Sequence, residues 1–326
     1  MLQRLQLIIT NTGSSRNYSH DMDSVSLTPL TRMSSSRNGR RRWGALVTVC
    51  LAVTVIVMDG SIVNVALPTL VNSIDGTSNS RLQWIVDAYI LSFAVLLLTA
   101  GSSADRFGRR RLLILGLVVF AAMSVGAAFS ENAMQLIAWR GAMGVGASMI
   151  FPATLAIIND AFPEPRLRRM AIALWAGCSG LGVAIGPVAG GWLLTHTHWG
   201  WIFLINVPLI LIALFWAICC VHESKDTDTR RFDLLGNALN IAGLTALVWG
   251  LIEGPERGWV STPIVLAVGI ALALLFAFVA WEIRASDPML DIRLFRSSGF
   301  SGGCLAISAA FCGLFGFVFK VTQLFL

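Results

Sequence analysis

The stretch GSSADRFGRRRLLILG, residues 101–116, indicates the fold class because it gathers five charged side chains between two apolar runs. The run before it covers residues 82–100 and the run after it covers residues 112–129. A helix of about 20 residues crosses the hydrocarbon of a membrane, whereas a soluble amphipathic helix carries polar residues all along one face. The pattern therefore predicts a short polar turn between two membrane-spanning helices.

The composition of the whole chain supports this interpretation. Of the 326 residues, 56% are hydrophobic and 13% are charged, whereas soluble domains carry about 25% charged residues. The apolar runs are continuous rather than alternating, which argues against a transmembrane barrel. The net charge of +6 is spread over short loops, which fits membrane topology better than a nucleic-acid surface. We therefore expect an all-α polytopic membrane protein whose partner is the lipid bilayer, with no nucleic acid.

About nine segments are predicted to span the membrane, at residues 43–70, 82–103, 112–130, 133–159, 170–194, 200–221, 233–252, 262–282 and 299–326. Twenty of the 24 Lys and Arg residues lie in the N-terminal tail and in the loops on its side of the membrane. The loops on the other side hold only Arg81 and Arg257. By the positive-inside rule, the N-terminus is cytoplasmic and the protein is a multi-pass protein of the cell inner (plasma) membrane.

Two of the polar or glycine-rich stretches have a spacing that topology alone does not explain. In the turn quoted above, a role in fixing the topology explains the basic residues but not the acid or the glycines. The candidate residues of this turn are Gly101, Asp105, Arg106, Gly108, Arg109 and Arg110. In GVAIGPVAGGWL, residues 182–193, Gly182, Gly186 and Gly190 recur every four positions and form one helix stripe. Pro187 and Gly191 are the other two candidate residues of this stretch. The stripe predicts close helix contact with a bend at the proline, with ordinary small-residue packing as the alternative.

These stretches resemble the motifs of the Major Facilitator Superfamily, and in particular of its 14-spanner drug:proton antiporters. Residues 101–113 resemble motif A, with Ser103 where Leu is usual, and LIAWRGAMGVGAS (136–148) resembles motif B, with Met143 in place of Gln. Residues 182–193 match motif C, the antiporter motif. MDGSIVNVALPTL (58–70) is similar to the first-helix signature, and WGWIFLINVP (199–208) is similar to the start of helix six. The resemblance implies a major facilitator-type helical bundle in which motif A acts as a conformational switch and motif C as a gating bend.

The resemblance also implies how the chain is divided. Residues 1–42 are expected to be a disordered basic cytoplasmic tail, because they are rich in Ser, Asn and Arg. Residues 43–221 would form the N-terminal six-helix bundle and residues 222–284 two extra central spanning helices. Residues 285–326 would start a second bundle that is incomplete.

Four polar residues within the predicted spans form the expected proton- and substrate-coupling set, Asp59, Asn64, Asp87 and Arg140. A carboxylate at the depth of Asp59 is stable only if it faces water, has a partner or is protonated. We expect it to carry a proton or bind a cation; the alternative is a structural acid bonded to hydroxyls or amides. Arg140 is expected to tune the protonation of a facing acid, unless it extends to the membrane surface. Asn64 either shares the cavity or joins two helices, and Asp87 is close enough to the outer surface to be interfacial.

The predicted function is that of a proton-coupled antiporter that exports lipophilic or cationic drugs or toxic compounds. The sequence shows no nucleotide-binding loop, nucleophile motif or paired metal spacing of Cys and His, so neither an enzyme nor a cofactor or metal is expected. The alternatives are a symporter or uniporter of the same fold, and a truncated membrane protein that does not transport. Because the second bundle is incomplete, we also expect Asp59 and Arg140 to be exposed on the open face of the first bundle.

Overall fold

The computed structural model describes residues 29–74, 78–225, 233–285 and 292–324. The chain divides into two compact units, Met1–Gly39 and Arg40–Leu326, and the packing below concerns the second. The regular elements are a 3₁₀ turn, Ile292–Arg296, and ten α-helices: α1 Pro29–Ser73, α2 Asn79–Phe107, α3 Arg109–Ala128, α4 Ala133–Ala161, α5 Pro165–His196, α6 Trp201–Leu204, α7 Asn206–Cys220, α8 Leu234–Arg257, α9 Thr262–Arg284 and α10 Ser298–Leu324.

Eight stretches of the described residues are long and apolar enough to cross a membrane, and they coincide with the first eight predicted segments. The ninth predicted segment forms α10, in which Ser298–Gly313 is a shorter apolar stretch. Large apolar side chains such as Val188, Phe215 and Phe276 are exposed on these helices, as expected of helices that face lipid tails. The all-α polytopic fold that the sequence predicts is confirmed.

The predicted disordered tail, residues 1–42, overlaps the first helix at its end. α1 begins at Pro29, so residues 29–42 are helical; residues 1–28 lie outside the described part of the chain. Proline is favoured in the first turn of a helix, and extending an existing helix adds one hydrogen bond for each residue that is fixed. The basic run therefore continues the helix of the first span.

Glycines bring α4 against two neighbours at once. α4 packs on α2 and on α3. A methyl carbon added at Gly144 would lie 2.4 Å from the carbonyl oxygen of Tyr89 in α2. One added at Gly146 would lie 2.9 Å from the backbone nitrogen of Phe120 in α3. Both contacts are with backbone atoms, so these helix axes can approach only where side chains are absent.

The sixth predicted span is divided into α6 and α7 by a turn at Ile205. Pro208 explains the interruption, because proline has no N–H to donate to the carbonyl of Leu204 four residues earlier. The break makes Asn206 the first residue of α7. It thus places a polar side chain at a joint within the membrane.

The extra pair α8–α9 is attached to the first bundle through α2. α8 packs against α2, and α9 packs against α8. At one end of the interface, Asn237 of α8 accepts a hydrogen bond from the hydroxyl of Thr99. At the other end, the carboxylate of Glu253 accepts one from the indole N–H of Trp84 at 2.9 Å. Partly buried polar contacts therefore fix α8 on α2 at two well-separated levels.

Candidate functional site: a buried ion pair between α1 and α4

Asp59 of α1 and Arg140 of α4 form an ion pair in the interior of the first bundle. Arg140 Nη1 lies 2.5 Å from Asp59 Oδ2, and neither side chain is exposed. Arg140 Nε also donates to the carbonyl of Ile85 in α2 at 3.0 Å. The ring centre of Tyr89 lies 4.4 Å from the guanidinium carbon. The arginine is therefore held by a carboxylate, a backbone carbonyl and an aromatic face together.

The expectation that Asp59 and Arg140 would be exposed is wrong, because each charge is covered by the other and by the surrounding helices. Burial also excludes the alternative in which Arg140 extends to the membrane surface. Removing one member of such a pair leaves an uncompensated buried charge, which typically destabilises a protein by about 3–5 kcal/mol. The two side chains should therefore separate only when a proton or a cation compensates one of them.

The second carboxylate oxygen of Asp59 is held by Asn206, a residue that the sequence analysis did not select. Asn206 Nδ2 donates to Asp59 Oδ1 at 2.7 Å and to Ser124 Oγ of α3 at 3.3 Å. Ser124 Oγ in turn donates to the carbonyl of Phe203 at 2.8 Å. The available signal was an amide inside the apolar run FLINVP, since a polar side chain in a spanning helix needs a partner.

The other two members of the predicted coupling set lie apart from the ion pair. Asn64 Nδ2 donates to the carbonyl of Gly60 in its own helix, at 3.4 Å. Asp87 is half-buried in α2. Within the described ranges, neither side chain forms a hydrogen bond or ion pair with Asp59 or Arg140. The structure therefore brings together two of the four predicted residues and adds Asn206.

The charged part of motif A joins four helices, α2, α3, α4 and α7, at one end of the bundle. Arg109, the first residue of α3, lies 2.9 Å from Asp105 of α2 and 2.5 Å from Asp160 at the end of α4. Arg110 Nη2 donates to the carbonyl of Ile218 in α7 at 2.9 Å. Arg106 is exposed. One arginine thus bridges two carboxylates, and a second ties α3 to α7.

The two motif A glycines have different surroundings. Gly108 has φ of 109°, a conformation that other residues adopt only with strain. A methyl carbon there would also lie 2.2 Å from Oε1 of Glu223. At Gly101 the nearest atom would be 3.8 Å away, which is an ordinary contact. Backbone conformation therefore favours glycine at position 108, where the Glu223 side chain would also have to move, whereas space does not require glycine at position 101.

The motif C glycines pack against α1 on both sides of Asp59. Methyl carbons added at Gly182 and Gly190 would lie 2.7 Å from the carbonyl oxygen of Thr54 and 2.8 Å from Cγ1 of Ile62. α5 continues as a helix across Pro187. At Gly191 nothing lies within 4 Å, so this glycine is outside the contact stripe. The partner of the stripe is therefore the helix that carries the buried acid.

A groove of about 540 Å³ lies between α3 and α4, away from the ion pair. Its lining includes Phe129, Gln135 and Trp139 but neither Asp59 nor Arg140. The carboxylate of Asp59 instead accepts hydrogen bonds from protein groups on both of its oxygens. The described state is therefore closed around Asp59.

Comparison with known proteins identifies relatives over most of the chain. The Major Facilitator Superfamily matches residues 49–326. The multidrug efflux pump LfrA of Mycolicibacterium smegmatis is 38% identical over 291 residues, which are 89% of this chain and 57% of that protein. The methyl viologen resistance protein SmvA of Salmonella typhimurium is 35% identical over 286 residues, which are 87% of this chain and 57% of that protein. The chain thus spans somewhat more than half the length of these relatives.

Two solved structures share the fold at low sequence identity. The POT family transporter PepTSo gives a TM-score of 0.54 at 14% identity, with 72% of this chain and 52% of that chain covered. The peptide transporter POT in complex with sulfate gives 0.56 at 14% identity, with 74% and 53% covered. By its match over residues 49–326 and by its fold, the chain belongs to the Major Facilitator Superfamily.

Proposed function

We propose that this protein is a proton-coupled antiporter that exports lipophilic or cationic drugs or other toxic compounds. The observation that carries the proposal is the buried ion pair of Asp59 and Arg140, in which a carboxylate and a guanidinium are in contact within the predicted membrane spans. The names of the relatives support the substrate class, since one is a multidrug efflux pump and another confers resistance to methyl viologen, an organic dication.

Protons and cations would compete for the same carboxylate. As described, the charge of Asp59 is balanced by Arg140. Protonation of Asp59 would leave the guanidinium as an excess positive charge that repels a cationic substrate in a medium of low dielectric constant. Loss of the proton would restore the neutral pair of Asp59 and Arg140 and remove that repulsion. Mutually exclusive binding of this kind is what exchange transport requires.

The membrane potential supplies enough energy for useful export. One proton that moves inward across 100 mV releases about 2.3 kcal/mol. Because about 1.4 kcal/mol corresponds to a tenfold change in concentration ratio, one proton sustains roughly a fiftyfold gradient of an uncharged substrate. A substrate that carries positive charge outward needs more than one proton at the same potential.

Everted membrane vesicles that carry the chain test the proposal. Adding a lipophilic cation should release protons from energised vesicles, as followed with a pH-sensitive dye. Asp59→Asn should abolish this release. Arg140→Lys should retain more of it than Arg140→Ala, because the positive charge is the proposed contribution. Glu164→Gln is a matched control at an exposed carboxylate on the surface and should leave the release unchanged.

Each alternative gives a different result in the same vesicles. A symporter would move protons in the same direction as the cation, and a uniporter would move the cation without protons. A protein that does not transport would move neither. Release at the wild-type rate in Asp59→Asn, at matched amounts of protein, would show that the acid has a packing role only.

A further inference from the structure

The carboxamide of Asn206 is only half satisfied in the buried site. Its Nδ2 donates to both Asp59 and Ser124, whereas its Oδ1 is buried with no hydrogen-bond partner. Buried polar atoms without a partner are rare in folded proteins. An acceptor atom thus lies unused beside the carboxylate.

Every polar group that the structure places on Asp59 is a donor. Arg140 Nη1 donates to Oδ2 and Asn206 Nδ2 donates to Oδ1. The nearby hydroxyls are already committed, since Tyr89 donates to the carbonyl of Ile56 at 3.0 Å and Ser124 donates to a backbone carbonyl. This arrangement suits a charged carboxylate, which only accepts hydrogen bonds. A protonated Asp59 would direct its O–H towards another donor.

Asn206 can satisfy both forms of Asp59 without moving its backbone. The two ends of a carboxamide have nearly the same shape, so a half-turn about its last bond exchanges donor and acceptor at little cost in packing. After that rotation, Oδ1 would take the place of Nδ2 beside Asp59. The unused acceptor would then receive the O–H of the protonated acid.

We propose that Asn206 is a positioning residue that responds to the protonation of Asp59 by rotating its carboxamide. With Asp59 charged, Nδ2 of Asn206 donates to it; with Asp59 protonated, the acid donates to Oδ1. The only bond formed is the O–H of the acid, and the proton comes from the aqueous phase. The inference rests on the proposed proton coupling at Asp59 and specifies how a proton there changes the protein.

The rotation has a structural consequence because Asn206 lies at the joint between α6 and α7. Its Nδ2 is shared with Ser124 of α3, which bonds the carbonyl of Phe203 in α6. Rotation removes the donor from Ser124 and presents an acceptor to it instead. The hydrogen bonds between α3 and the broken helix would therefore change with the protonation of an acid in α1.

The groups around Asp59 that could share its titration are few in the part of the chain that the structure describes. α4 contributes Arg140, and α2 contributes the phenol of Tyr89. α3 and α7 contribute the uncharged Ser124 and Asn206, and α5 faces α1 with its glycine stripe. A signal from a protonated carboxyl group at this site can therefore be assigned to Asp59 by one substitution.

Infrared difference spectroscopy of the purified chain in liposomes tests the rotation directly. Spectra at low and neutral pH are subtracted, with asparagine side chains labelled with ¹³C at the carboxamide carbon. We expect a protonated-carboxyl band that is absent in Asp59→Asn, and a carboxamide band that shifts over the same pH range and is absent in Asn206→Leu. Asn240→Leu removes a buried amide that bonds the carbonyl of Val95 and should leave both bands in place.

The substituted proteins add a second readout that packing alone would not change. In Asn206→Leu the carboxyl band of Asp59 should move to higher frequency, because its O–H has lost an acceptor. Asn206→Gln restores a carboxamide and should reverse part of that shift. If Asn206→Leu does not fold, the labelled wild-type chain still tests the rotation. Its carboxamide band must change over the same pH range as the carboxyl band.

Two results would overturn the proposal. One is a protonated Asp59 whose appearance leaves the Asn206 carboxamide band unchanged, and the other is no protonation of Asp59 over the whole pH range in which the chain stays folded. The vesicle assay separates this inference from the proposed function. If the carboxyl and carboxamide bands change together but the vesicles exchange no protons for the cation, antiport is rejected and the rotation stands. If the vesicles exchange protons but the carboxamide band does not change, the rotation is rejected and antiport stands.

Discussion

Ser61 of α1 and Gly186 of α5 lie so close that a methyl carbon added at Gly186 would be 2.0 Å from the Ser61 hydroxyl oxygen. Ser61 Oγ also donates to the carbonyl of Met58 at 3.0 Å, and Met58 immediately precedes Asp59. The contact between the two helices therefore fixes the turn that carries the buried acid. A substitution at the stripe should accordingly affect both stability and the site.

Gly186→Ala should lower the free energy of unfolding by about 1–3 kcal/mol, the usual effect of overfilling a packed interface. Gly191→Ala is the matched control, because nothing lies within 4 Å of that position, and its effect should stay within about 0.5 kcal/mol. Adding Ser61→Ala to Gly186→Ala should recover part of the loss. Recovery should be incomplete, since the carbonyl oxygen of Met58 would still lie 2.9 Å from the new carbon. Thermal unfolding in detergent provides the measurement, and equal losses at positions 186 and 191 would contradict the packing described.

Asp59 and Arg140 should behave as a strongly coupled pair in a double-mutant cycle. Asp59→Asn and Arg140→Gln should each destabilise the chain by about 3–5 kcal/mol, because each leaves a buried charge without a partner. The double variant should be less destabilised than the sum, because it contains neither charge. Denaturant unfolding in detergent measures the coupling, with Asp87→Asn as a control at an acid that forms no ion pair with the residues that the structure describes. Additive losses would mean that the two side chains do not interact.

Arg109 should contribute modestly to stability through its two carboxylate partners. The side chains of Asp105 and Asp160 are 50% and 39% exposed, and exposed pairs contribute roughly 0.2–1 kcal/mol each. Arg109→Gln should therefore lower the free energy of unfolding by about 1 kcal/mol. Arg109→Lys should lower it less, because the ammonium group keeps the positive charge. Some loss should remain, because an ammonium group cannot pair with both carboxylates as the planar guanidinium does. Arg106→Gln alters an exposed arginine and should have almost no effect. The loss in Arg109→Gln should shrink at high salt, and a loss independent of salt would indicate a packing effect instead.

The position of Asn206 shows why part of the site was predicted and part was not. Asp59 and Arg140 stood out because charged residues are rare within apolar runs. That the two are partners could not be read from one sequence, because the helices that carry them are far apart along the chain. Asn206 reaches Asp59 across 147 positions, and a neutral amide in an apolar run attracts less notice than a charge. The number of spans was easier to predict, since it depends on local length and apolarity.

The orientation of the chain in the membrane stays a prediction, and exposed positions allow a test. A single cysteine at Arg106 should be shielded from a membrane-impermeant maleimide in intact cells, and one at Trp259 should react, because basic loops remain in the cytoplasm. Both side chains are exposed, so reactivity will report the side of the membrane. Cys219 and Cys312 are exposed as well and are first replaced by serine. Labelling at position 106 without permeabilisation would reverse the topology.

The two polar attachments between α8 and α2 limit how the extra helices can move. Thr99 holds Asn237 near one end of the interface, and Trp84 holds Glu253 near the other. Two fixed points along one helix resist both sliding and rolling of its neighbour. The hairpin of α8 and α9 should therefore move together with α2 as one rigid body. Its distance from Trp84 should stay constant while the bundle changes shape. A spin label on α9 would then report the tilt of α2 without touching the helices that surround the ion pair.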